Sequence, residues 1–192
     1  MKKGFTIVEV SILFVIFLIV AFLVAPLSLD DTMQAKNTSQ WRRVQEDFAN
    51  IFNSINTEKN TDNAEFSSVI NNIISSDIKS EIKPYRISFM NKSFSDDNYK
   101  FNEYKTTYSN ATIAVKIFDD NATDKRGLLM YDVNGSVGPN IWGKDVFGLN
   151  LYNDHFEPFC KNEPLSKQKR DCSRQGSGLC CSNYYLIGGN FD

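Results

Sequence analysis

Histidine is nearly absent from this chain: His155 is the only one in 192 residues. No general base therefore stands near a candidate nucleophile. A glycine-rich phosphate loop and the G-x-S-x-G turn are missing as well, so no catalytic constellation is recognisable. No Cys-x-x-Cys pair occurs, and the cysteine spacing does not suit zinc. An excess of positive charge is also lacking. The 21 Lys and Arg face 23 Asp and Glu, for a net charge of −2. Bulk charge thus gives no argument for nucleic acid as a partner. Cysteine is missing from the first 159 residues, and all four lie between Cys160 and Cys181. That clustering suggests disulfides in an oxidising compartment.

Charge is scarcest at the N-terminus. From Phe5 to Val24 there are twenty residues and one ionisable side chain, Glu9. As a helix this run spans roughly 30 Å, the thickness of a hydrocarbon core. Lys2 and Lys3 precede it, which predicts a single-pass helix with the C-terminal domain outward. A cleaved secretory signal fits poorly, because Ile19 and Leu23 are large at the positions two before Ala21 and Ala25. Glu9 is costly in lipid, by about 3 kcal/mol or more, unless it is paired or protonated. A cut between Gly4 and Phe5 would place a new amine four residues from Glu9. The amine of one subunit would then neutralise the carboxylate of the next. The plainer alternative is an ordinary anchor whose Glu9 reaches up to the headgroups.

The run Lys2-Lys3-Gly4-Phe5-Thr6-Ile7-Val8-Glu9 resembles the class III signal peptide of type IV pilins and type II secretion pseudopilins. The resemblance implies cleavage after Gly4 by a membrane-embedded prepilin peptidase, N-methylation of Phe5, and assembly with Glu9 facing a neighbour's N-terminus. It implies as partners other pilin or pseudopilin subunits, an inner-membrane assembly platform and the lipid bilayer. The expected location is the bacterial inner membrane, single-pass with a periplasmic domain, and then a pilus or pseudopilus. Residues 1–4 would be the leader, 5–29 the transmembrane and assembly helix, and 30–192 the extracytoplasmic domain.

Beyond the apolar run, Trp41, Val44, Phe48, Ile51, Phe52 and Ile55 recur at helical spacing. One long helix is predicted, loosened near Pro26 and amphipathic in its second half. A second helix is predicted over 64–83, with Phe66, Val69, Ile70, Ile73, Ile74 and Ile78 as its apolar stripe and Pro84 as its stop. The period then changes to two. Strands are predicted at 85–89, 112–118, 127–133 and 145–152, with a long connection over 91–108. Helix first and antiparallel strands after is an α+β pattern. It agrees with the pilin architecture of a long helix on a sheet of about four strands with a disulfide-closed C-terminal loop.

Asp132-Val133-Asn134-Gly135 with Gly138-Pro139-Asn140 and Gly143-Lys144-Asp145-Val146-Phe147 is a second point of resemblance, similar to a segment found late in minor pilins and pseudopilins. Asn134-Gly135 suits a tight turn. Asp132, Asn134 and Asp145 are oxygen donors that could hold Ca²⁺. The full calcium-loop pattern is missing, and a turn held by Asx hydrogen bonds is the preferred account. Adjacent Cys180 and Cys181 are strained as partners. Each is therefore expected to join one of Cys160 and Cys172, with two pairings open. Lys161, Lys167, Lys169, Arg170 and Arg174 make the C-terminal region basic. They read as a solvated loop, with contact to a polyanion such as DNA the sharper alternative. Tyr184 to Ile187 are expected to return to the sheet edge. Taken together, the sequence predicts a structural, non-enzymatic, minor subunit of a type IV pilus-like filament. A type II secretion pseudopilin and a non-polymerising anchored binding domain are the alternatives.

Overall fold

The computed structural model describes residues 7–55, 78–93, 101, 103–107, 109–118, 124–152 and 155–190. Helix α1 (Ile7–Ile55) comes first. It is followed by strands β1 (Ile78–Ile82), β2 (Glu103–Thr107), β3 (Thr112–Ile117), β4 (Lys125–Asp132), β5 (Val146–Tyr152) and β6 (Phe156–Pro158). Two short helices follow, α2 (Leu165–Asp171) and α3 (Cys181–Tyr184). The chain divides into two units, residues 1–36 and 37–192, and α1 runs through the boundary.

In the second unit the six strands form one antiparallel sheet in sequence order, β1 to β6. Period-two alternation sorts β3, β4 and β5 between two faces. Ile113, Leu129, Tyr131, Phe147, Leu149 and Leu151 point to one side, where Trp41 and Phe48 of α1 join them. Ala114, Leu128, Met130 and Val146 point to the other, packed with Ile87, Trp142 and Phe159. Trp41 is the pin of the first layer. Its ring stacks on Phe147 at 5.0 Å, and its Nε1 donates to the Ser182 carbonyl at 2.8 Å. Gly148 makes the second layer possible, because a Cβ there would collide with the Phe159 ring.

Several expectations are corrected. The sheet has six strands rather than about four. The end of the predicted second helix is β1, which pairs with β2 from Ile78↔Thr107 to Ile82↔Tyr104. An edge strand as polar as Ile-Lys-Ser-Glu-Ile carries no apolar alternation to mark it, and its partner supplies the order. The rest of that predicted helix, 64–77, lies outside the described residues. The strand expected at 85–89 reduces to one bridge, Ser88↔Ile141. The C-terminal segment does not join the sheet edge but folds as α3 and a following turn.

The membrane-spanning helix and the single-pass inner-membrane placement are corrected as well. Among the described residues no helix is long and apolar enough to cross a membrane. Among the described side chains, residues 7–22 of α1 are apolar apart from Glu9 and Ser11. From Thr32 onward the described side chains turn polar, with Gln34, Lys36 and Asn37.

Candidate functional site

The first candidate surface lies on α1. Gly4 and Phe5 are outside the described residues. Glu9 is exposed, near the start of the described helix. Around and beyond it, Ile7, Val8, Val10 and every large apolar residue from Ile12 to Val20 are about half exposed or more, and Phe22 reaches 86 %. These residues occupy all sides of the helix rather than one stripe. A helix apolar all round needs cover on all sides. Fully covering each Val, Leu, Ile or Phe would contribute about 1.5–3 kcal/mol. Ser11 Oγ donates back to the Ile7 carbonyl at 2.9 Å.

The second candidate is the loop from β4 to β5, which brings Asp132, Asn134 and Asp145 together. Both carboxylates are fully buried. Asp132 Oδ1 accepts from the Asn134 amide at 3.2 Å, an Asx turn, and Oδ2 accepts from the Tyr85 hydroxyl at 2.6 Å. Asp145 Oδ2 accepts from the Asn140 amide at 2.9 Å and Oδ1 from the Ile141 amide at 2.7 Å. With its amide nitrogen turned toward the acceptors, Asn140 also donates to Gly135 O at 3.0 Å and Asp132 Oδ2 at 3.3 Å. Gly135 has φ of +66°, and a side chain there would strike the Asn110 carbonyl, so the turn needs glycine.

Burial dominates the electrostatics of this loop. It pushes the Asp132 carboxyl up to about 8, with Asp145 adding repulsion and the Tyr85 hydrogen bond working against both. Burial also raises Asp145, opposed by the Ile141 and Asn140 amides. The Tyr85 phenol is driven far above its ordinary range, by burial first and by Asp132 second. Each carboxylate oxygen already holds a donor from the protein, so the pair acts as a hydrogen-bonded lock on the loop. Among the described residues no group of three or more His, Cys, Asp or Glu is placed to hold a metal ion.

The third is the C-terminal loop. Cys160 bonds to Cys180 and Cys172 to Cys181, which decides between the two open pairings. Asp171 organises the turn between them: Oδ1 accepts from the Ser177 amide and Oδ2 from the Cys180 amide, each at 2.9 Å. Arg42 of α1 then clamps the end of α3, donating twice to the Tyr185 carbonyl at 3.0 and 2.7 Å. Of the basic residues, Lys161 pairs with Glu157 at 3.1 Å and Lys167 with Glu163 at 2.7 Å. Tyr85, Arg42 and Asp171 were not singled out from the sequence. Only Asp171 offered a signal, a carboxylate a few residues before a Gly-Ser-Gly turn. Tyr85 and Arg42 act on partners 47 and 143 residues away.

No family model, curated protein or solved structure matches the chain. The pilin resemblance therefore rests on the residues that carry it.

Proposed function

We propose that this chain is a structural, non-enzymatic subunit of a type IV pilin-like filament. It is cut after Gly4 by a prepilin peptidase and built in by packing α1 against other copies. One observation carries the reading: the apolar surface that α1 presents on all sides from Ile7 to Phe22, with Glu9 as the lone carboxylate within it. Such a surface costs free energy in water and is covered most simply by identical helices. Glu9 fits the same picture, since a carboxylate enclosed in a helix bundle needs a positive charge, and a neighbour's new N-terminal amine supplies one. The disulfide-closed C-terminal loop favours a pilus subunit over a type II secretion pseudopilin.

The test is Glu9→Ala, expressed beside the wild-type chain with a prepilin peptidase and its filament machinery. The wild-type chain enters the sheared filament fraction. Glu9→Ala, equally abundant and equally disulfide-bonded, stays out of it. Equal entry of both would sink the reading in favour of a binding domain that does not polymerise.

A further inference from the structure

The two disulfides differ in what surrounds them. Cys172 and Cys181 are 2 % and 0 % exposed and belong to the core layer that Trp41, Phe147 and Tyr185 fill. Packing there is tight, and a Cβ at Gly143 would collide with the Cys181 sulfur. The other bridge is placed differently. Cys160 packs at the margin of the second layer and is only half-buried, while its partner Cys180 is buried. Among the described residues, Phe159, Cys160 and Leu179 line one part of a cleft of about 410 Å³. That volume lies within the roughly 300–1,000 Å³ typical of small-molecule sites. One bridge is sealed in the core, and the other has one end beside a cleft.

A disulfide opens when a thiolate attacks one of its sulfurs, and access decides which bridge opens first. The two ends of Cys160–Cys180 are not equivalent. The Cys180 amide donates to Asp171 Oδ2 at 2.9 Å, which sets a carboxylate beside the buried end. An anionic attacker meets repulsion there. Cys160 is the more exposed end. It also has φ of +65°, a left-handed conformation that a residue with a side chain keeps only when its surroundings hold it. Breaking the bridge removes one of those restraints. The rest of the segment has ties that do not depend on it. Cys172–Cys181 remains, and Asp171 still accepts from the Ser177 and Cys180 amides. Gln168 still joins the Glu163 carbonyl to Asn183. Opening is therefore confined to the turn after β6, next to the Phe159 ring that covers Gly148.

We infer that Cys160–Cys180 is a thiol-exchange site, opened by small thiols such as glutathione while Cys172–Cys181 stays closed. The incoming thiolate attacks Cys160 Sγ. A sulfur–sulfur bond forms there, and the bond to Cys180 breaks. Cys180 leaves as a thiolate and takes a proton from water. A second thiolate then attacks the glutathione sulfur of this mixed disulfide. Cys160 leaves in turn and is protonated. Two small thiols have become one disulfide, and their two electrons have reduced the bridge. The domain thus has two covalent states that share one fold. The inference concerns the sheet domain alone and does not rest on the filament reading.

The test exposes the folded full-length chain to reduced glutathione at about pH 8, where part of the thiol is ionised. Aliquots are quenched with N-ethylmaleimide and mapped by peptide mass spectrometry. Cys160–Cys180 is expected to open at least roughly tenfold faster than Cys172–Cys181, with glutathione found transiently on Cys160. Circular dichroism of the singly opened chain should keep the native sheet signal. In urea the two rates should converge, because both bridges are then equally accessible. The inference is overturned by equal rates in the folded chain, by Cys172–Cys181 opening first, or by no opening before the fold is lost. Glutathione on Cys180 in place of Cys160, or a rate difference that persists in urea, overturns it as well.

Discussion

Asp132 holds its proton over a pH range in which an unfolded chain would release it. Burial raises its carboxyl from 3.8 to about 8. The folded state therefore binds more protons than the unfolded state between those values, and stability falls as pH rises through that window. The contribution is fully present below about pH 4 and is lost by the time the folded carboxyl ionises. Asp145, also raised by burial, acts in the same direction. Thermal unfolding between pH 4 and 8 should show the midpoint dropping with pH in the wild-type chain. The slope should be shallower in Asp132→Asn; an identical slope would mean that Asp132 is ionised in the folded state. Trp41 works at the same scale through packing. It is fully buried, stacked on Phe147 and bonded to the Ser182 carbonyl. Trp41→Ala should cost about 3–5 kcal/mol in urea unfolding.

Among the elements, β3, β4 and β5 were legible because both of their faces pack, and Thr-Ile-Ala-Val-Lys-Ile or Gly-Leu-Leu-Met-Tyr-Asp already shows apolar strand character. Strands β1, β2 and β6 were not. Ile-Lys-Ser-Glu-Ile and Glu-Tyr-Lys-Thr-Thr are polar, and Phe-Glu-Pro is three residues long. Each gains its order from a neighbour that the sequence does not place beside it. The register shift in β4 between Lys125 and Gly127 is invisible for the same reason, since it exists only relative to β5. The turn at Asn134-Gly135 and the exclusion of a Cys180–Cys181 bond could be read, because both follow from local backbone geometry. The choice of Cys160–Cys180 and Cys172–Cys181 could not, because both open pairings obey that geometry. Replacing either bonded pair with serine should cost about 2–4 kcal/mol. Loss of Cys160–Cys180, which spans 20 residues against 9, should cost more by roughly 0.7 kcal/mol in the chain-entropy account. Chemical denaturation of the two double variants measures the difference, and the reverse order would point to native packing instead of loop closure.

At the scale of the whole molecule, a disulfide-pinned sheet domain and an exposed apolar helical segment answer to different demands. Among the described residues of the domain, Asp132, Asp145 and Asp171 are hydrogen-bonded, the four cysteines are paired, and Trp41, Trp142, Phe147 and Tyr185 are buried. The segment from Ile7 to Phe22 is exposed instead, and its twenty-residue apolar context invited a membrane-spanning reading that the described helix does not support. Its composition specified that something must cover it, without specifying what. Packing against other copies is the cover proposed here, and processing after Gly4 is what would release an amine four residues from Glu9. The most direct test is mass spectrometry of the N-terminal peptide from a chain isolated together with its filament machinery and prepilin peptidase. The account predicts a chain that begins at an N-methylated Phe5. A chain that still begins at Met1, with an active peptidase present, would contradict it.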